Sequence, residues 1–266
     1  MNLRDEVEKI KTEGYSEANA ESKLCQDIVL KAIAESGMAR NATIKGGVVM
    51  RSLSKNARRA TQDIDLDFIR YSISDESIRQ FVKRLDCIDG LSIAIDGKIT
   101  ELKHQDYKGK RITITITDSN DTVLSLKMDI GVHADFSLEQ EDYAFDIGFQ
   151  EDAVSLLINS KAQMITEKLK SLVRFASRST RYKDVFDICY LSDEVDKEQL
   201  RGCIDKYIIS DETIRNVTTM DDVVKRVERV FSNKAYIDAV SKSDKNWLDM
   251  PVEAVLKKDL EFIKSL

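Results

Sequence analysis

Arg59-Ala60-Thr61-Gln62-Asp63-Ile64-Asp65-Leu66-Asp67-Phe68-Ile69 alternates carboxylate and apolar side chains from Asp63 onward. A period of two is the repeat of a β-strand, so Asp63, Asp65 and Asp67 leave one face and Ile64, Leu66 and Phe68 the other. Carboxylates about 5 Å apart repel by about 3 kcal/mol at an effective dielectric near 20, so a desolvated pair needs a cation. Asp129, in Ser125-Leu126-Lys127-Met128-Asp129-Ile130, is a third candidate from a neighbouring strand. Mg²⁺ suits such a group, because it takes oxygen ligands and keeps positions open for water and phosphates. The plainer alternative is the wet face of an edge strand, charged against sheet-to-sheet association.

Upstream, Ala42-Thr43-Ile44 leans to β, Gly46-Gly47 breaks it, and Val48 to Leu53 starts a helix. Backbone N–H groups at that helix start can meet phosphate oxygens. Neither a GxxxxGK[ST] loop nor a GxGxxG fingerprint is present. Outward from this core, residues 1–38 read as helical, Ser74 to Leu85 as a capped amphipathic helix, and Leu91–Ile95, Arg111–Thr117 and Thr122–Val132 as strands. The last two are joined by the turn Asp118-Ser119-Asn120-Asp121. The β pattern ends near Val154, and helices are expected over 160–178, 182–192, 196–207, 211–217, 221–232 and 235–265. The expectation is an α+β chain: a mixed β-sheet domain with flanking helices over residues 1–155, then an all-α helical bundle over 156–266.

The length of 266 residues, with 42% hydrophobic and 33% charged residues, fits one large or two smaller globular domains. One proline, against roughly 13 at ordinary usage, excludes proline-rich linkers. Cys25, Cys87, Cys189 and Cys203 form no CxxC pair and are expected as reduced thiols. With neither a leader-like nor a membrane-length apolar stretch, a cytoplasmic location without membrane attachment is expected. No role falls to His104 or His133.

Lys45-Gly46-Gly47-Val48-Val49-Met50-Arg51 with Arg59-Ala60-Thr61-Gln62-Asp63-Ile64-Asp65-Leu66 resembles the first motif of the nucleotidyltransferase superfamily. More narrowly it is similar to the AbiEii/AbiGii group, toxins of type IV toxin–antitoxin and abortive-infection systems, whose R-x-T-x-D-I-D-L element it matches. Glu167-Lys168-Leu169 and Arg181-Tyr182-Lys183-Asp184-Val185-Phe186-Asp187-Ile188 resemble the group's E-K-L helix and its later [RK]-D-x-x-D-[LI] helix.

The resemblance implies a nucleotidyltransferase-like sheet domain followed by a helical domain that brings a Lys/Asp motif to the cleft. It implies catalytic roles for Asp63, Asp65, Lys168 and either Asp184 or Asp187. Metal would fall to Asp63, Asp65 and Asp129, and triphosphate to Gly46, Gly47, Arg51 and Lys168. The expected activity is Mg²⁺-dependent transfer of NMP from an NTP to an RNA such as tRNA, or to a protein, by a toxin. An antitoxin encoded nearby is expected as partner, not necessarily in a stable complex. The alternatives are a catalytically silent nucleotide- or partner-binding protein of this fold, or a metal-dependent nuclease. As an ordinary pair of helices, the second motif would instead present a solvated face with Lys183–Asp187 as an i, i+4 ion pair.

The net charge of −6 argues against indiscriminate nucleic-acid coating. Its distribution is uneven: residues 45–59 carry +5 and residues 161–183 carry +6, so the remainder sums to −17. Arg174, Arg178 and Arg181, at i, i+4 and i+7, are expected as a helical stripe facing phosphates or, equally simply, water or an acidic partner.

Overall fold

A computed structural model describes residues 1–102, 109–133 and 140–266; His104 lies outside them. In chain order the elements of the first half are α1 (Leu3–Thr12), α2 (Glu17–Glu35), β1 (Ala42–Lys45), α3 (Gly46–Ser54), β2 (Asp63–Phe68), α4 (Asp75–Leu85), β3 (Leu91–Glu101), β4 (Lys110–Asp118), β5 (Val123–Val132), β6 (Glu141–Phe145) and β7 (Val154–Ile158). The second half holds α5 (Lys161–Phe175), α6 (Lys183–Leu191), α7 (Lys197–Ile204), α8 (Met220–Phe231), α9 (Lys234–Lys242) and α10 (Val252–Lys264). Contacts divide the chain into two compact units, Met1–Asn159 and Ser160–Leu266.

The first unit is built on a seven-stranded sheet ordered β3-β4-β5-β2-β1-β7-β6. Pairing is mixed: β2 runs parallel to β5 and β1 parallel to β7, while the other pairs are antiparallel. The acid-bearing β2 is therefore central, which overturns the edge-strand alternative. Ile64, Leu66 and Phe68 of β2, Ile112, Ile114 and Ile116 of β4, and Leu124, Leu126 and Met128 of β5 are all buried, and α2 and α4 pack on this sheet. Phe68 meets Phe81 of α4 edge to face at 4.9 Å between centroids.

Several expected boundaries move. The helix expected over 1–38 is two, because Gly14 at φ +93° stops α1 and Ser16 starts α2. β3 runs on to Glu101 through a register shift between Asp96 and Thr100. The β pattern continues to Ile158, and β6, Glu-Asp-Tyr-Ala-Phe, is an edge strand whose polar sequence hides it.

The described second unit contains helices and no strand. A reciprocal Ser160/Gln163 capping box starts α5. Residues 211–217 form turns instead of a helix: Asp211 Oδ1 accepts from Thr213 N at 2.9 Å, a local bond that competes with helical pairing. The long helix expected over 235–265 breaks at 243–251, and Pro251, the sole proline, is the N-cap of α10. Arg174 lies in the last turn of α5, but Arg178 and Arg181 lie beyond its end, so the expected arginine stripe is not one helical face.

Asp259 of α10 is fully enclosed, and neither carboxylate oxygen has a hydrogen-bond partner among the described residues. Burial pushes its pKa well above the carboxylate range, only partly opposed by Lys258. With the folded pKa above the unfolded value of about 3.9, the unfolded chain ionises first, so stability falls as pH rises between the two values. Asp259→Asn keeps the shape and removes the titration. Its melting temperature is expected to exceed that of wild type by several degrees at pH 8, with the gap closing toward pH 4.5. A gap that does not change with pH in thermal unfolding would contradict this origin.

Candidate functional site

Asp63 and Asp65, two of the three carboxylates of β2, sit against the glycine pair. Gly46 opens α3 at φ +64°, and a Cβ there would run into Asp65 Oδ2. A Cβ at Gly47 would lie 2.5 Å from Thr61 Cβ, and Thr61 Oγ1 donates to Asp63 Oδ1 at 2.6 Å. The absence of side chains at both positions is therefore what lets the N-terminus of α3 rest on the acidic face of β2. Lys45, the N-cap, contributes no side-chain cap, so a helix terminus with its partial positive charge meets two half-buried carboxylates.

Gly46→Ala is expected to cost about 1–3 kcal/mol, through left-handed strain and displacement of Asp65. Gly14→Ala is the control, since Gly14 is also left-handed but faces open space. Equal losses for the two variants in urea unfolding would show that Asp65 does not matter to the effect.

Gln26, fully buried on α2, clamps the entry to β2: its Nε2 donates to Thr61 O at 2.9 Å and Asp63 O at 3.0 Å. Next to it, Asp27 accepts from Lys23 Nζ at 2.8 Å, Arg51 Nη2 at 3.1 Å and Gly148 N at 3.2 Å. Arg51, expected at the triphosphate, is itself buried with its guanidinium on Asp27. It ties α3 to α2. The buried Lys23/Gln26/Asp27 cluster went unread in the sequence; its signal is three polar side chains on an otherwise apolar helical face.

Register places Lys45, Asp65, Asp129 and Arg111 in one row across β1, β2, β5 and β4. Lys45 Nζ pairs with Asp67 Oδ2 at 2.9 Å, so the third acid of β2 is already neutralised. Asp129 is held at both oxygens by Arg111, Nε to Oδ1 at 2.6 Å and Nη2 to Oδ2 at 2.7 Å. The Asp129 bond holds the Arg111 guanidinium charge more firmly than usual, with Asp63 and Asp65 adding to the effect. Among the described residues no three Asp, Glu, His or Cys side chains converge closely enough to hold a metal ion. Asp63 and Asp65 thus share one strand face, beside an Asp129 whose two oxygens are taken by Arg111. Arg111 was not anticipated, since it reads only as the first residue of an alternating strand.

In the second unit, Lys168, Asp184 and Asp187 come together. Lys168 Nζ lies 2.6 Å from Asp187 Oδ2 and 3.5 Å from Asp184 Oδ1, with all three side chains buried. Trp247 Nε1 donates to the other Asp187 oxygen at 3.1 Å. Arg181 Nε contacts Asp184 at 2.9 Å. The closely held partner of Lys168 is Asp187, and this replaces the solvated Lys183–Asp187 alternative.

The positive segments are matched by acids outside them. Lys45, Arg51, Lys55, Lys161, Lys168, Lys170, Arg174 and Arg181 all have a carboxylate within ion-pair distance. Lys170 and Arg174 share Asp211 at 2.7 and 2.9 Å; against the opposing effect of burial, Lys170 and the hydroxyl and backbone N–H of Thr213 hold that carboxyl far below its ordinary range. The charge excess seen in the sequence is thus largely spent on acids distant along the chain. No helix among the described residues is long and apolar enough to cross a membrane.

Among solved structures, the chain resembles an antigenic nucleotidyltransferase-like protein from Paracoccidioides brasiliensis, with 14% identity over 66% of this chain and 85% of that one and a TM-score of 0.38. No curated protein matches the chain. The family described as nucleotidyl transferase AbiEii toxin, type IV TA system, matches residues 28–260. That span takes in the glycine pair, Asp63 and Asp65, Arg111, Asp129 and the Lys168/Asp187 pair, and the chain belongs to the AbiEii nucleotidyl transferase toxin family.

Proposed function

We propose that this chain is a Mg²⁺-dependent nucleotidyltransferase of the 2.7.7 type. It moves an NMP from an NTP to an acceptor, an RNA such as tRNA or a protein, with pyrophosphate leaving. The first unit is the nucleotidyltransferase-like domain, and the helices of the second form a C-terminal bundle domain. The observation that carries the reading is the seating of Gly46 and Gly47 on Asp65 and on the Thr61/Asp63 pair.

Asp63 and Asp65 fit Mg²⁺, which characteristically uses one or two protein carboxylates and completes its shell with water and substrate phosphates. Such an ion, when bound, neutralises charge on the phosphates and lowers the barrier to in-line displacement. The chain's own contribution starts with the α3 N-terminus, whose backbone N–H groups hold phosphate oxygens. Thr61 fixes the rotamer of Asp63, and Gly46 leaves room for Asp65. Lys168, held by Asp187 within the second unit, is the lysine that this reading assigns to catalysis. Arg51, with its guanidinium on Asp27, supports α3.

The biological role that goes with this activity is growth arrest in the cytoplasm, relieved by an antitoxin that needs no stable complex with the toxin. One observation favours a silent binding protein instead: Arg111 occupies Asp129. Purified protein incubated with Mg²⁺, each α-labelled NTP, total tRNA and cell protein separates the readings. Label transferred to RNA or protein is the expected result. NTP binding with no transfer supports the silent protein, and RNA cleavage without NTP supports a nuclease.

A further inference from the structure

The row across the sheet places two carboxylates between two cations. Arg111, Asp129, Asp65 and Lys45 stand side by side on four strands, on the same face as Asp63. The outer cations are used differently. Lys45 turns to the buried Asp67, with only 11% of its side chain exposed. Arg111 is 46% exposed and grips Asp129, which is 9% exposed. Beyond Arg111, Asp129 has no other hydrogen-bond or ion-pair partner among the described residues.

We propose that Arg111 is a resident counter-cation that latches Asp129, and that a divalent cation must displace it before Asp129 can serve as a third ligand beside Asp63 and Asp65. This rests on the nucleotidyltransferase reading of that face. The chemistry of exchange is simple. A guanidinium and a divalent ion compete for the same two oxygens, and a carboxylate gripped at both oxygens by a fork of N–H donors has one lone pair on each already engaged by a cation. The guanidinium's half-exposed position means that it can leave for water without stranding a buried charge, which Lys168 or Arg51 could not do. The latch therefore keeps three carboxylates from facing one another without a cation, and it holds metal affinity below what the unlatched acids would give.

A latch predicts a gain on removal, whereas a merely structural ion pair predicts a loss. Mn²⁺ binding to the full chain, followed by the loss of the free-ion paramagnetic signal, reads this without any turnover. Arg111→Ala is expected to bind Mn²⁺ about fivefold or more tightly than wild type, because one competing charge-assisted pair is gone. Arg111→Lys, which keeps the charge but loses the fork, is expected to fall between them. Adding Asp129→Asn to Arg111→Ala is expected to abolish the gain.

If wild type binds Mn²⁺ through Asp63 and Asp65 but Arg111→Ala and Arg111→Lys bind it equally or more weakly, the latch is overturned and the nucleotidyltransferase reading stands. A gain that survives Asp129→Asn also overturns it. If wild type and Asp63→Asn show the same weak binding, the reading of the face as a metal site fails, and the latch fails with it.

Discussion

Asp63→Asn is expected to lower nucleotidyl transfer by at least about 10³-fold, in the range seen when a preorganised charge at a reacting centre is removed. The same variant should unfold at an equal or higher urea concentration than wild type. The two outcomes share one cause. Asp63 and Asp65 project from one strand face roughly 7 Å apart, and at an effective dielectric near 20 their repulsion is about 2 kcal/mol. Folding must hold these charges together, beside Asp129, with Arg111 as the cation directly attached to that acid. Asn retains an oxygen to accept the Thr61 hydroxyl proton and the size of Asp, so the strand and its Gln26 clamp are untouched. A residue kept for structure alone would lose stability on replacement and leave the chemistry to others. Transfer measured with the labelled NTP that wild type uses, alongside a urea titration, decides the matter: full activity in Asp63→Asn would place the chemistry elsewhere.

The acidic strand was legible because its two faces differ so sharply in polarity. What its sequence did not contain was its place in the sheet. Asp-Ile-Asp-Leu-Asp-Phe suits an edge strand with a wet face, yet β2 is the fourth of seven strands. Its acidic face is accommodated by partners far along the chain: the α3 terminus, Lys45 on Asp67, and Arg111 on Asp129. Periodicity describes a strand's own faces and carries no information about partners separated by tens of residues. Gln26 and Asp27 were lost for the same reason, since apart from the local Lys23 bond their partners lie 24 to 121 residues away. Arg51 shows the same limit from the other side. Its nearness in sequence to the glycine pair suggested a phosphate ligand, but five residues along α3 its side chain meets Asp27 of α2 instead. Family resemblance suggested Lys168 with either Asp184 or Asp187; the choice of Asp187, the depth of the pair and its third member, Trp247, required the packing of α5, α6 and the segment before α10.

That depth makes the second unit's motif the place where single substitutions should do most harm to stability. Asp187 is fully buried, with one oxygen on Lys168 and the other on the indole of Trp247. Asp187→Ala strands the Lys168 ammonium, itself only 8% exposed at the side chain, and is expected to cost about 3–5 kcal/mol, as for other buried pairs broken on one side. Asp184, 3.5 Å from the ammonium, can recover only part of that loss, because Arg181 already draws on it. Replacing both partners, Lys168→Met with Asp187→Leu, removes two desolvated charges together and should restore most of the stability. It should not restore transfer. Trp247, the only tryptophan in the chain, provides the measurement: its fluorescence follows urea unfolding, and its emission in the folded state should change once the Asp187 acceptor is gone. If Asp187→Ala is as stable as wild type, the ammonium has found solvent or another acid and the pair is not a buried one. If the double variant is both stable and active, Lys168 acts only in folding. Stability regained without activity is the outcome that separates a catalytic lysine from a structural one.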